Sequence, residues 1–231
     1  VSVERAAPET IPNGKVVGVD LGINRPAVTS EAQFLGERRW RNISARYFRH
    51  RRSLQAKATR SARKRLCKVS GRQARFRRDC DHVLSRRLVD SVEPGTTLVF
   101  ENLKHIRDRV KAKGPKGRRR LHSWSFDQLL AFASYKTEEQ GVLVVTVDPR
   151  GTSKTCSRCG YKSRSNRPSQ SEFSCRKCGY RLNADYNAAR NIGAKYLARE
   201  AIRASGGLSV SEPIVPGLCA QGQATGIHPQ W

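Results

Sequence analysis

The sequence predicts an α/β domain: a mixed sheet, an intensely basic helical hairpin set into it, and a small metal-binding ribbon near its end. Three observations carry this. Short Val-rich runs at residues 15–20 (KVVGVD), 96–100 (TTLVF) and 142–147 (VLVVTV) have the length and composition of buried strands. Long stretches with helical periodicity separate them. Two Cys-x-x-Cys pairs follow the last of the three.

With 231 residues the chain can bury a real core, as one large domain or a domain plus a module. Its 45 Lys and Arg against 19 Asp and Glu give a formal charge of +26. Such a surface repels itself unless polyanions neutralise it, so nucleic acid is the expected partner class. A membrane surface is the alternative, but no apolar run approaches transmembrane length, and no signal-peptide pattern opens the chain. Both points favour a reducing, cytoplasmic setting, where paired cysteines bind metal more often than they form disulfides. Methionine is absent, at position 1 as elsewhere, which is compatible with a chain cut from something longer.

Taken in order, residues 1–13 are a polar lead-in. KVVGVD then delivers Asp20 to the end of a core strand. A carboxylate there is costly unless it is paired, hydrogen-bonded or metal-bound; a turn or capping Asp is the other reading. Residues 26–30 and 33–35 return as the second and third strands of a meander. From 38 to 78 the chain carries 17 Lys or Arg and no Asp or Glu. Trp40, Ile43, Tyr47, Leu54, Ala58, Ala62, Leu66 and Val69 recur mostly three, four or seven apart, as on an amphipathic helix. Ser70-Gly71 reads as a break. Phe76, Cys80, Val83, Leu84, Leu88 and Val92 trace a second helix ending near Pro94-Gly95.

The expected unit, about 38–93, is a helical hairpin with a one-signed basic face. A merely solvated face mixes both signs of charge. Phosphate contacts are therefore expected along it, at Arg38, Arg39, Arg51, Arg52, Arg63, Lys64 and Arg65. Residues 96–100 then deliver Glu101, repeating the pattern of Asp20. The basic run 107–120, with Gly114, Pro115 and Gly117, reads as a mobile loop. Residues 124–140 carry a broad apolar helical face that Gly141 ends, and 142–147 form another strand. A helix is expected from about Ala184 to Arg203. The composition of 206–231 is that of a disordered tail.

The predicted ribbon spans 151–182. Cys156/Cys159 and Cys175/Cys178 flank a loop of 15 residues, the spacing of a four-cysteine zinc site. Each turn points two thiolates at one spot, and two turns complete a tetrahedron around Zn²⁺. Each pair is followed by Gly-Tyr. Two disulfides are the alternative. Four protein ligands leave no open position, so the zinc is expected to be structural. Cys67 and Cys80 read as helix-face residues, and Cys219 is unassigned.

Three acids stand out: Asp20 and Glu101 at strand ends, and Asp185 at the start of the closing helix. A meander, a βαβ crossover and a closing helix can bring all three to one sheet edge. Converging carboxylates should not stay ionised together without cations. Two Mg²⁺ about 4 Å apart would relieve that repulsion and clamp a phosphodiester. Chemistry and bulk charge agree on a metal-dependent nuclease.

VGVDLG, LVFENL and CSRCG…CRKCGY…NADYNAARNI, in that order, resemble the RuvC-like nuclease half of the TnpB/OrfB proteins. Insertion sequences encode these proteins, which are related to type V CRISPR effectors. SYKTEEQG and VDPRGTSKTCSRCG add to the likeness, which covers roughly residues 15–200. The resemblance implies a ribonuclease H-like (RuvC) fold closed by a helix at 183–205. It implies Asp20, Glu101 and Asp185 as catalytic acids holding Mg²⁺ or Mn²⁺, and the ribbon as a nucleic-acid-binding insertion. Guide RNA and target DNA are the implied partners, and RNA-guided DNA cleavage the implied activity.

Two departures matter. Relatives commonly carry an N-terminal half that reads a motif beside the target and holds the guide. The present sequence begins just before the first acid, so that half is expected elsewhere, on the same or a separate chain. Asn183-Ala184-Asp185 also stands where many relatives have Asp-Arg-Asp. A non-cleaving nucleic-acid-binding relic or regulator is the second functional reading.

Overall fold

A computed structural model describes residues 8, 10–109 and 114–205. Five strands form one mixed sheet. β1 (Val16–Asp20), β2 (Ala27–Thr29) and β3 (Phe34–Leu35) make the antiparallel meander. α1 (Arg38–Lys57) and α2 (Arg60–Val89) then lead to β4 (Thr97–Glu101), which lies parallel to β1. α3 (Ile106–Arg109), α4 (Gly114–His122) and α5 (Phe126–Glu139) precede β5 (Leu143–Val147), parallel to β4. The sheet order is β3-β2-β1-β4-β5. A two-stranded ribbon follows, β6 (Glu172–Ser174) against β7 (Arg181–Asn183), and α6 (Ala184–Ala204) ends the described fold.

Strand alternation sorts the core into two layers. Val17, Val19, Leu98 and Phe100 cluster with Leu84 and Leu88 of α2 and with Leu129 and Ala133 of α5. On the other face Val99 and Val147 cluster with Ile192 of α6. Parallel strands covered on both faces read as continuous apolar runs, which is why these three strands were visible in the sequence.

Gly18 sits on the α6 side of β1. A Cβ there would lie 2.1 Å from the Ala189 carbonyl oxygen and 2.5 Å from the Gly193 nitrogen. Strand and helix thus meet backbone to backbone, an approach that only glycine allows.

The hairpin turns earlier than its periodicity suggested. Ser70-Gly71 lies inside α2, and the break is at Ala58-Thr59. Ala58 adopts a left-handed φ of 52°, and the Thr59 hydroxyl accepts the Ala62 amide at 3.2 Å. A Thr N-cap satisfies an otherwise orphaned amide. A single Gly costs a packed 30-residue helix little by comparison. The run expected as a mobile loop also holds a helix, α4. Pro115 falls in its first turn, where a missing N–H is harmless. The Arg119 guanidinium lies 3.5 Å from the centroid of the Phe48 ring and ties α4 to α1. Residues 110–113 of that run, and the 206–231 segment read as a disordered tail with Cys219, lie outside the described residues. No helix among the described residues is long and apolar enough to cross a membrane.

Gly18→Ala forces α6 off the sheet. Equilibrium urea unfolding should show a loss of about 1–3 kcal/mol, the cost of overpacking a filled core.

Candidate functional site

β1 and β4 run parallel with Val19 opposite Phe100, so Asp20 and Glu101 leave the sheet at the same edge. Asp185 comes from the first turn of α6, the helix packed along β1. Asn183 builds that turn. Its side-chain oxygen accepts the amides of Asp185 at 3.0 Å and Tyr186 at 3.2 Å. The Asn of Asn183-Ala184-Asp185 is therefore a helix cap.

Electrostatics place the three acids in one neighbourhood. Burial, then the charges of Glu101 and Asp185, push the Asp20 carboxyl from 3.8 up to about 8, against the pull of Arg167. Burial also raises Glu101, opposed by the Thr152 hydroxyl and Lys195. Burial raises Asp185, opposed by Arg167 and Arg25. The acids do not form as tight a group as the cysteines do. Among the described residues, only the four cysteines bring three or more ligand atoms within 4.8 Å of one another.

Several side chains at this edge were not singled out from the sequence. Arg167, from the loop between the cysteine pairs, lies 3.5 Å from the Asp185 Oδ1 and donates to the Gln170 carbonyl at 2.7 Å. Thr152 donates to Glu101 Oε1 at 2.5 Å. Lys195 donates to the carbonyls of Asp148 and Arg150, both at 2.8 Å. Apart from the local Arg167–Gln170 bond, each contact joins residues far apart in sequence. The Thr152 side chain could have been suspected only from its place between the last core strand and the first cysteine turn.

The ribbon is built from two matching knuckles. The Gly160 amide donates to the Cys156 carbonyl at 2.9 Å, and the Gly179 amide to the Cys175 carbonyl at 3.0 Å. Both glycines have left-handed φ, 74° and 69°, which explains the Gly after each cysteine pair. Buried Asn166 fastens the intervening loop: its amide nitrogen donates to the Lys154 and Tyr161 carbonyls at 3.0 Å each, and its oxygen accepts the Arg176 amide at 3.0 Å.

Cys156 and Cys178 sulfurs stand 3.8 Å apart, those of Cys159 and Cys175 3.6 Å. Tetrahedral thiolates with a metal–sulfur bond of about 2.3 Å stand about 3.8 Å apart. Disulfide sulfurs would be about 2.05 Å apart. The donor set therefore fits Zn²⁺ and not disulfides.

Of the basic residues singled out on the hairpin, Arg38, Arg39, Arg52, Arg63, Lys64 and Arg65 are exposed. Arg39 pairs with Glu37. Arg51 differs: it is half-buried and turned inward, donating to the Gln73 side chain of α2 at 3.1 Å.

Two family models match the chain in order, one described as "Probable transposase" (OrfB_IS605) over residues 1–105 and one as "Cas12f1-like, TNB domain" over residues 126–192. The CRISPR-associated endodeoxyribonuclease Cas12f1 of Sulfoacidibacillus thermotolerans is 42% identical over 121 residues, 52% of this chain and 27% of that protein. A TnpB-like protein of Methanocaldococcus jannaschii is 38% identical over 96 residues, 41% of this chain and 34% of that protein. A cryo-EM structure of a Cas12f1–sgRNA–target DNA complex shares the fold with a TM-score of 0.62 and 23% identity, over 84% of this chain and 52% of that one. Over these stretches the chain is similar to the OrfB transposases, to TnpB-like proteins and to Cas12f1. It spans about a third or less of the length of the curated relatives it matches.

Two outcomes follow from the geometry. Metal analysis should find about one zinc per chain, lowered by Cys175→Ser, by the four-ligand logic. The second concerns pH. Folded Asp20 binds a proton up to about 8, whereas the unfolded group releases it near 3.8. Stability in Mg²⁺-free buffer therefore falls as pH rises through that window. Asp20→Asn removes the penalty and should raise Tm by about 5 °C at pH 8, with little change at pH 4.

Proposed function

We propose that this chain is the DNA-cleaving half of an RNA-guided, TnpB-like endonuclease of a mobile element. The observation that carries the reading is Asp20 held at one sheet edge within the field of both Glu101 and Asp185, on a chain of net charge +26. In this reading the sheet is a ribonuclease H-like (RuvC) core, its meander and parallel strands closed by α6. The hairpin of about 38–93 and the zinc ribbon of 151–182 are insertions into it.

Asp20, Glu101 and Asp185 are the groups that would hold Mg²⁺ or Mn²⁺. A pair of such ions, if bound there, would supply an activated water and a stabilised leaving oxygen for phosphodiester hydrolysis. The acids suit hard cations because carboxylates bind them while leaving positions for water and phosphate. Burial raises the proton affinity of all three, and at Asp20 the charges of Glu101 and Asp185 add to it. Arg167 offers a guanidinium whose planar fork matches phosphate oxygens. Its contact with Asp185 keeps it at the reacting edge. The exposed face of α1 and α2 would carry the guide RNA and target DNA by their phosphates, with no reading of bases.

A non-cleaving regulator of the same ancestry would keep the basic face and lose the use of the acids. The two readings part on cleavage. Supplied with a guide RNA and an N-terminal targeting half, the chain should cut DNA in Mg²⁺ or Mn²⁺. Asp20→Ala, Glu101→Ala and Asp185→Ala should each abolish cutting and leave nucleic-acid binding nearly intact. A reconstituted complex that binds target and never cuts would establish the regulator instead.

Binding itself should weaken steeply with salt. Reversing Arg52, Arg63, Lys64 and Arg65 together should flatten the dependence of log K on log[salt], by about 0.9 for each duplex phosphate no longer neutralised. An unchanged slope would place the phosphate-binding residues elsewhere.

A further inference from the structure

Glu101 differs from the other two acids in having one more rotatable bond. An Asp at a strand end or in a helical first turn is held closely by its own backbone. A Glu needs an external anchor to keep its carboxylate in one place, because each free torsion costs entropy to fix. The structure supplies one in Thr152.

Thr152 is 3% exposed and lies between β5 and the first cysteine turn. Its hydroxyl oxygen is 2.5 Å from Glu101 Oε1 and 3.0 Å from the Pro149 carbonyl. Both neighbours are acceptors, and a hydroxyl has one proton to give. The shorter contact directs it to Glu101. That bond uses Oε1 and leaves Oε2 to a cation.

Thr152 is itself held from behind. Its carbonyl accepts the Asn191 side-chain amide at 2.7 Å, and the same nitrogen donates to the Thr155 carbonyl at 2.7 Å. One turn earlier on α6, Asn187 donates to the Thr155 carbonyl at 2.8 Å and accepts the Ser157 amide at 3.0 Å. Asn187 is fully buried, and Asn191 is 8% exposed. The segment that begins at Thr152 thus lies clamped along α6 as far as Cys156, the first zinc ligand.

We propose that Thr152 is a positioning residue that orients the Glu101 carboxylate for divalent-cation binding, and that Asn191 positions Thr152. The inference rests on the reading of Glu101 as a cation-holding acid. It adds that the acid edge and the zinc ribbon are one mechanical unit, joined through a hydroxyl and two side-chain amides. Hydrogen-bond partners behind a metal ligand typically change affinity by about 10–100-fold when removed.

The test uses the zinc-loaded 231-residue chain and Mn²⁺ alone, followed by calorimetry and by the Mn²⁺ paramagnetic resonance signal. Thr152→Val keeps the shape and removes the donor. It should weaken Mn²⁺ binding about tenfold, the lower end of that range, while zinc content and nucleic-acid affinity stay unchanged. Thr152→Ala, which cannot clash, should match it. Thr152→Ser should restore binding to within about twofold of the parent, given that it retains the donor. Asn191→Ala should weaken binding in the same direction with the zinc retained. Glu101→Gln separates this inference from the reading beneath it. If Glu101→Gln loses Mn²⁺ and Thr152→Val and Thr152→Ala bind like the parent, the positioning role is overturned and the cation-holding acid stands. Failure of Thr152→Ser to restore binding overturns the positioning role as well. If Glu101→Gln binds Mn²⁺ like the parent, both fall.

Discussion

The backbone-to-backbone contact between α6 and β1 is the constraint on which the other features hang. It exists because Gly18 presents no side chain to Ala189 and Gly193 of the helix. The contact closes the second face of the sheet over Val99 and Val147. It also lays the first turn of α6 beside the end of β1, so Asp185 enters the field of Asp20. Further along, the same helix offers Asn187 and Asn191 to the chain that runs into the ribbon. Moving α6 away would separate the acids, expose the sheet and release the ribbon together.

The acid edge is held at a cost. Burial and like charges raise Asp20, and carboxylates so placed oppose folding at neutral pH unless cations balance them. Arg25 and Arg167 from two loops and Lys195 from α6 supply part of that balance. The ribbon has the opposite character. Its own buried cluster is small, centred on Phe173 with Cys156, Cys175 and Ala184. So few side chains do not fold a unit alone, and in such modules metal binding supplies the folding free energy. A metal ion on the four cysteines would thus build the ribbon, while others would neutralise the edge beside it.

Much of this was legible because the relevant physics is local. Core strands of the parallel type declare themselves as unbroken Val-rich runs, and an acid directly after such a run is conspicuous. The knuckles are equally plain, since spacing and a trailing glycine encode the turn. What stayed hidden depends on tertiary partners. The turn at Ala58-Thr59 carries no Gly or Pro, and the cap that makes it is a single Thr. Helix α4 was obscured by Gly114 and Pro115, which sit at its start where they do no harm. The inward bond of Arg51 to Gln73 is likewise tertiary, and the basic run around it carries no mark of it. Arg167 and Thr152 reach the acids only because α6 and the ribbon fold back onto the sheet edge.

The most direct measurement is anomalous diffraction from crystals of the zinc-loaded chain soaked in Mn²⁺, recorded at the manganese edge. Density bounded by the carboxylates of Asp20, Glu101 and Asp185, with Arg167 drawn off Asp185, is the expected result. Manganese bound only elsewhere, with the Arg167–Asp185 pair intact and the three acids vacant at saturating Mn²⁺, would contradict it.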